Sequence, residues 1–190
     1  MKIGLIGYGT IGCGVAQLLL EKRRHPDLQL VKIADIDLER ERDFMPDRGL
    51  FTKDASEILN DPKIDIVIEL MGGIEPARSY VLSAFDKGKD VVTANKALLS
   101  SCWKEIMEKA NSCKKRIRFE ASVAGGIPLL SAISSGLGAN KIEAVYGIIN
   151  GTTNYILTRM EKTKESFSDA LSEAQKKGYA AATPSFDIDG

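Results

Sequence analysis

Lys2-Ile3-Gly4-Leu5-Ile6-Gly7-Tyr8-Gly9-Thr10-Ile11-Gly12-Cys13-Gly14 stands at the start of the chain, and its reading decides the fold. Lys2–Ile6 is a compact apolar strand, and Thr10–Lys22 carries apolar residues at 11, 15, 18 and 19, the spacing of one helix face. Between them lies Gly7-x-Gly9-x-x-Gly12, so the glycines occupy a strand–turn–helix context. Gly7 permits a tight turn and Gly9 lets main chain approach a pyrophosphate. Gly12, backed by Gly14, allows helix and strand to pack closely. The phosphates would lie on the free N–H groups and positive dipole end at Thr10 and Ile11. A glycine-rich turn without a ligand is the competing reading of the bare pattern, and the surrounding elements count against it.

The next elements keep the alternation. Leu28–Asp35 reads as a strand, Ser56–Asn60 as a short helix started by Asp54 or Ser56, and Ile64–Met71 as an apolar strand broken only by Asp65 and Glu69. Pro76–Lys87 is helical and ends at Gly88, Asp90–Ala94 is a strand, Ser101–Cys113 a helix and Arg116–Ser122 a strand. Strands alternating with helices imply α/β architecture, a Rossmann-type doubly wound parallel sheet with right-handed crossovers. Asp35 ends the second strand 23 residues after Gly12, where a carboxylate accepts hydrogen bonds from a ribose 2′-hydroxyl and repels a 2′-phosphate. Asp37 is the rival for that role, and either could be a turn carboxylate. Ile36 offers no cation to a phosphate, which favours NAD over NADP, with Arg40 and Arg42 as the counter-argument. Gly72 and Gly73, after the third long strand, join the candidate cofactor contacts.

Near residue 123 the texture changes. Val123–Pro128 is a glycine-rich loop, Leu129–Ser135 a short helix, Lys141–Ile149 a strand, and Thr153–Lys164 and Ser166–Lys177 two helices before a loop-like tail. This places a boundary near 124–128, with a dinucleotide-binding domain at 1–125 and the beginning of an α+β domain at 126–190.

Bulk properties exclude several functions. In 190 residues, Lys+Arg and Asp+Glu both total 26, so no net field attracts nucleic acid or an anionic membrane. No apolar run approaches the roughly 20 residues of a membrane span. Cys13, Cys102 and Cys113 have no metal-ligand spacing and their odd number suits a reducing cytoplasm, while His25 alone nearly excludes a histidine-based zinc site.

Lys96 follows a strand at a carboxyl-terminal sheet edge, where open α/β sheets bind ligands. A cation there could polarise a carbonyl or hold a carboxylate, although an isolated lysine would as readily be a surface residue. Thr93 and Asn95 beside it offer hydrogen bonds to cofactor or substrate.

Four segments carry a family resemblance, in order and spacing: Asn95-Lys96-Ala97-Leu98-Leu99, Glu120-Ala121-Ser122-Val123-Ala124-Gly125-Gly126-Ile127-Pro128, Asn150-Gly151-Thr152-Thr153-Asn154-Tyr155-Ile156-Leu157 and Gly178-Tyr179-Ala180. Together they resemble homoserine dehydrogenase over essentially the whole chain. The resemblance implies reversible hydride transfer between NAD(P)H and L-aspartate 4-semialdehyde, giving L-homoserine for threonine and methionine biosynthesis. It implies that Lys96 lies between nicotinamide and substrate, that Asn150, Gly151 and Thr152 serve the substrate, and that Gly178 touches the cofactor. It further implies a structural monovalent cation, usually sodium, on Glu120 and the carbonyls of Val123, Gly125 and Ile127. The domain from 126 would be a substrate and dimerisation domain, incomplete at Gly190, in a homodimeric protein.

The match departs at Gly178-Tyr179-Ala180-Ala181-Ala182-Thr183-Pro184. Ala181 stands where the family has a glutamate that grips the substrate's ammonium, and Thr183 where it has an aspartate. The proton-donor lysine and a substrate-binding aspartate are expected just beyond Gly190, so the 190-residue chain itself is expected to bind dinucleotide and to reduce the semialdehyde negligibly. A related semialdehyde or amino-acid dehydrogenase, and an inactive dinucleotide-binding relative, therefore stay as alternatives.

Overall fold

The computed structural model describes residues 1–21, 26–147 and 150–180. They divide into two compact units, Met1–Leu130 and a second beginning at Ser131.

The first unit is built on six parallel strands: β1 (Lys2–Ile6), β2 (Gln29–Ala34), β3 (Phe51–Thr52), β4 (Ile66–Glu69), β5 (Asp90–Thr93) and β6 (Ile117–Arg118). Their order across the sheet is β3-β2-β1-β4-β5-β6, and every pair is parallel. The order reverses between β1 and β4, so a crevice opens at their carboxyl ends. Helices α1 (Thr10–Leu20), α2 (Ser56–Leu59), α3 (Ala77–Asp86) and α4 (Lys96–Ser112) form the crossovers. Two apolar clusters hold the layers together. One centres on Ile58, Val67, Val81, Phe85, Leu98 and Ile106, the other on Ile3, Leu5, Tyr8, Ala16 and Ile33.

The close seat of α1 on β1 rests on glycine. Gly7 adopts φ +97°, and a Cβ there would lie 2.7 Å from the Leu70 carbonyl. A Cβ on Gly12 would lie 2.2 Å from the Gly7 carbonyl oxygen. Gly14 plays no part in this approach, because a Cβ there would meet nothing within 4 Å.

Two local expectations change. The helix expected from Ser101 begins at Lys96, because the Asn95 side chain accepts a hydrogen bond from the Leu98 N–H at 3.0 Å and caps it. Its backbone is non-helical at Cys102 (φ −122°, ψ 18°), so a break does lie beside the expected start. The strand expected over Arg116–Ser122 is two residues long, and Glu120–Ser122 turns into a 3₁₀ helix instead. The two-residue β3 lies in a stretch to which the sequence assigns no element, since so short an edge strand leaves no periodicity.

In the second unit, a helical turn α5 (Leu129–Ser131) runs on from the first unit into a π-helical segment, Ala132–Gly136. Helices α6 (Gly151–Thr163) and α7 (Phe167–Lys176) pack around Ile156, Ala170 and Ala174. Arg159 ties the pair by donating to Glu165 and Glu173, both at 2.6 Å. The strand expected at Lys141–Ile149 is not formed: Lys141–Gly147 is irregular, and Ile148 and Ile149 lie outside the described residues. Among the described residues of this unit no second strand is present to pair with it, and an unpaired strand has no ladder to stabilise it. Val145 and Tyr146 are accordingly 65% and 93% exposed.

The glycine contacts make opposite outcomes for two neighbouring substitutions. Gly12→Ala is expected to cost about 1–3 kcal/mol through overpacking against a main-chain oxygen. Gly14→Ala is expected to be neutral or to stabilise by up to about 1 kcal/mol, since helix propensity rises and nothing is displaced. Thermal denaturation of the two variants checks the pair, and equal midpoints would contradict the close approach.

Candidate functional site

The chain from Ile6 to Gly12 is the floor of the site. Gly9 is the N-cap of α1, and a Cβ on it would meet nothing within 4 Å, so its outer side is open. Thr10 and Ile11, in the first turn, are exposed and lie at a helix start with no acidic residue. Free N–H groups at such a start attract an anion. A cavity of about 400 Å³ adjoins them, lined among others by Gly7, Gly9, Asp35, Arg40, Lys53 and Met71.

Asp35 is partly buried at the end of β2, and its carboxylate orders the loops around it. Oδ2 accepts from the Tyr8 N–H at 2.6 Å, and Oδ1 accepts from the Asp37 N–H at 2.8 Å and from Arg42 Nη2 at 3.3 Å. A carboxylate offers about four acceptor positions, so Oδ2 keeps one for a ribose hydroxyl. Asp37 is a turn residue, its Oδ1 accepting from the Arg40 N–H at 3.1 Å.

Arg42 is committed to the protein. Its side chain is 6% exposed, and it donates to the carbonyls of Tyr8, Arg40 and Asp37 at 2.6, 2.9 and 2.5 Å. The guanidinium lies 5.2 Å above the Tyr8 ring, whose hydroxyl donates to the Phe44 carbonyl at 2.7 Å. Burial pushes the Tyr8 phenol well above its ordinary range, with a hydrogen bond to Cys13 acting in the same direction. Sequence reading missed Tyr8 and the strapping role of Arg42, since neither leaves a local pattern. Arg40 and Lys53 line the cavity; Ile36, also in the lining, is 84% exposed and brings no charge.

The opposite half of the crevice lies at the ends of β4 and β5. Gly72 and Gly73 adopt φ +80° and +74° after β4. Thr93 is 1% exposed and Asn95 6% exposed, and both spend their side-chain polar groups inside the protein. The Thr93 hydroxyl donates to Glu69 Oε2 at 2.6 Å and accepts from the Asn95 N–H at 3.0 Å. Asn95 Nδ2 donates to the Gly73 carbonyl at 2.6 Å. Lys96 is the first residue of α4 and is exposed. The sequence noted Glu69 only as an interruption of an apolar strand; an acid in such a run was the available signal.

Glu120 begins the 3₁₀ helix after β6, and its Oε1 accepts from the Leu130 N–H at 3.0 Å. The following loop contains Ala124 and Gly126 at φ +47° and +83°. Among the described residues no group of three or more His, Cys, Asp or Glu lies together, so a metal held here would depend chiefly on main-chain carbonyls.

In the second unit Asn150 caps α6, its Oδ1 accepting from the Thr153 N–H at 3.0 Å, so the helix begins two residues before its expected start. The Thr152 hydroxyl donates to the Tyr179 carbonyl at 2.7 Å. Gly178 follows α7 with φ +74°. Ala181 and Thr183 lie outside the described residues. No described helix is long and apolar enough to cross a membrane.

Two family models match the chain: homoserine dehydrogenase, NAD binding domain, over residues 7–120, and homoserine dehydrogenase over residues 128–190. The homoserine dehydrogenase of Synechocystis is 43% identical over 196 aligned residues, covering 100% of this chain and 45% of the relative. That of Bacillus subtilis is 38% identical, again over 100% of this chain and 45% of the relative. Among solved structures, a homoserine dehydrogenase from Thiobacillus denitrificans superposes with a TM-score of 0.83 at 43% identity, over 99% of this chain and 45% of that one. One from Thermoplasma acidophilum gives a TM-score of 0.83 at 27% identity, over 100% and 64%. The chain thus spans a little under half the length of the curated relatives it matches.

Gly9→Ala separates binding from folding. Its φ of −78° suits alanine and no neighbour is displaced, so stability should change by less than about 1 kcal/mol. A methyl group over the anion-facing N–H groups should weaken dinucleotide binding roughly tenfold, the loss of one charge-assisted hydrogen bond. NADH fluorescence titration alongside thermal denaturation measures both, and unchanged affinity would place the phosphates elsewhere.

Proposed function

This chain belongs to the homoserine dehydrogenase family, and from that premise we propose that it serves the NAD(P)-dependent interconversion of L-aspartate 4-semialdehyde and L-homoserine, in threonine and methionine biosynthesis. The observation that carries the proposal is the crevice itself. An open glycine-lined helix start, the Asp35 carboxylate and the Lys96 helix start occupy the carboxyl edges of β1, β2 and β5 in one sheet.

A bound nicotinamide dinucleotide supplies the hydride. The protein's residues bind and orient. Thr10 and Ile11 N–H groups take the pyrophosphate, and the remaining lone pair of Asp35 Oδ2 takes a ribose hydroxyl. Gly72, Gly73 and the β5–α4 junction at Thr93 and Asn95 bound the nicotinamide half. Lys96 holds the carbonyl oxygen, and its positive charge favours the alkoxide that develops there. In the second unit Asn150, Gly151 and Thr152 are assigned to the substrate and Gly178 to the cofactor, on the family correspondence. The same correspondence puts a sodium ion on Glu120 and the carbonyls of Val123, Gly125 and Ile127. One carboxylate with carbonyl oxygens is a donor set suited to a hard monovalent cation. A homodimer in the cytoplasm completes the proposal.

NAD(H) is proposed as the preferred cofactor. Asp35 would repel a 2′-phosphate, Ile36 carries no charge, and Arg42 has its donors engaged by Tyr8, Arg40, Asp37 and Asp35. Titration with NADH and NADPH at low salt should give tighter NADH binding; tighter NADPH binding would mean that Arg40 and Lys53 outweigh Asp35.

Catalysis tests the remainder, in a protein extended past Gly190. NADH oxidation should be faster with L-aspartate 4-semialdehyde than with other small aldehydes, which separates this reading from a related dehydrogenase. Lys96→Ala should lower kcat roughly 10²-fold or more with little change in cofactor KM. Unchanged kcat would return Lys96 to the surface.

A further inference from the structure

Glu69 is the last residue of β4, and it is fully buried. Its Oε2 accepts from the Thr93 hydroxyl at 2.6 Å, and its Oε1 accepts from the Met71 N–H at 2.8 Å and, at a long 3.5 Å, from Asn95 Nδ2. Every one of these donors is neutral, and among the described residues no salt bridge reaches the carboxylate. A buried charge without a cation is costly, and three hydrogen bonds offset only part of the cost. An amide could accept from Met71 or from Thr93 but not from both, so the acid serves the tie, and it also leaves a net charge beneath the crevice.

Its place in the crevice indicates what that charge does. Asp35 lies at the end of β2, on the β1–β2 side of the pyrophosphate floor, so the adenosine half belongs there; the cavity reaches from there to Leu70 and Met71 after β4. The nicotinamide half then falls on the β4–β5 side, at the turn Met71–Gly73 and at Lys96. Glu69 grips both segments, one through the Met71 N–H and the other through Thr93 and Asn95, with Asn95 in turn clasping Gly73. We propose that Glu69 is a positioning residue of the nicotinamide site, and that its buried negative charge makes the protein favour the oxidised, positively charged ring over the reduced, neutral one. The proposal rests on the dinucleotide reading above.

Glu69→Gln keeps the shape and the capacity to accept from Met71; it removes the charge and also turns the group facing the Thr93 hydroxyl from acceptor to donor, the part that Thr93→Val controls for. In the 190-residue chain, NAD⁺ and NADH affinities are measured by calorimetry and by NADH fluorescence. NAD⁺ is expected to weaken about tenfold, as loss of one nearby charge in a partly screened site implies, while NADH changes by less than about twofold. Thr93→Val, which removes a hydrogen bond and keeps the charge, should leave the ratio of the two affinities at its wild-type value. A wild-type ratio in Glu69→Gln, or an equal fall for both cofactors, overturns the proposal and reduces Glu69 to a structural tie. Wild-type protein supplies a measure that needs no variant to fold: NAD⁺ should bind more tightly than ADP-ribose, which lacks the ring, and equal binding also overturns it. No binding of any of the three ligands would defeat the dinucleotide reading itself.

Discussion

The close approach of α1 to β1 is the constraint on which the first unit depends. Gly12 lies so near the Gly7 carbonyl that a single methyl group would not fit, and Gly7 itself is pressed against Leu70 in a positive-φ turn. With helix and strand at that distance, Cys13 and Ala16 are buried in the apolar cluster around β1. The same turn brings the Tyr8 N–H to Asp35, which fixes the end of β2 beside the helix start. The proposed phosphate and ribose sites are therefore set by one backbone contact.

On either side of that contact the protein satisfies buried polar groups differently. Beneath the adenosine half, a carboxylate and a guanidinium compensate each other, with Asp35 and Arg42 strapping the loop after β2 onto Tyr8. Beneath the nicotinamide half, Glu69 is held only by neutral donors. The first arrangement orders a loop at little electrostatic cost. The second retains a net charge beneath the proposed nicotinamide site, at an electrostatic cost.

Among the described residues of the second unit, the packing is that of a helix pair. Small residues, Ala170 and Ala174, let α7 pack against Ile156, and Arg159 bridges to two glutamates; Glu165 is held below the usual carboxylate range first by its hydrogen bond to Arg159. The neighbouring segment Lys141–Gly147 has the residue pattern of a strand and none of the pairing. Pattern sets which face a strand would bury, whereas pairing needs a second backbone at about 4.8 Å.

The sequence by itself determined the alternation of strands and helices, the parallel sheet, the glycine fingerprint with Asp35 beyond it, and the family motifs around Lys96, Glu120, Asn150 and Gly178. Each of these is a local signal: an apolar period, a turn residue or a fixed spacing within a few turns of chain. Tertiary structure alone decided that Gly12 and not Gly14 makes the close contact, that Asn95 and Asn150 are helix caps, and that Thr93 and Asn95 turn their side chains inward to Glu69. It also decided that Arg42, which the sequence offered as a phosphate ligand, is bound to the main chain of Tyr8 and Asp37. Those outcomes depend on which atoms from distant segments meet. A hydrogen-bond donor is available to a ligand only if no nearer acceptor has claimed it, and that competition is settled in three dimensions.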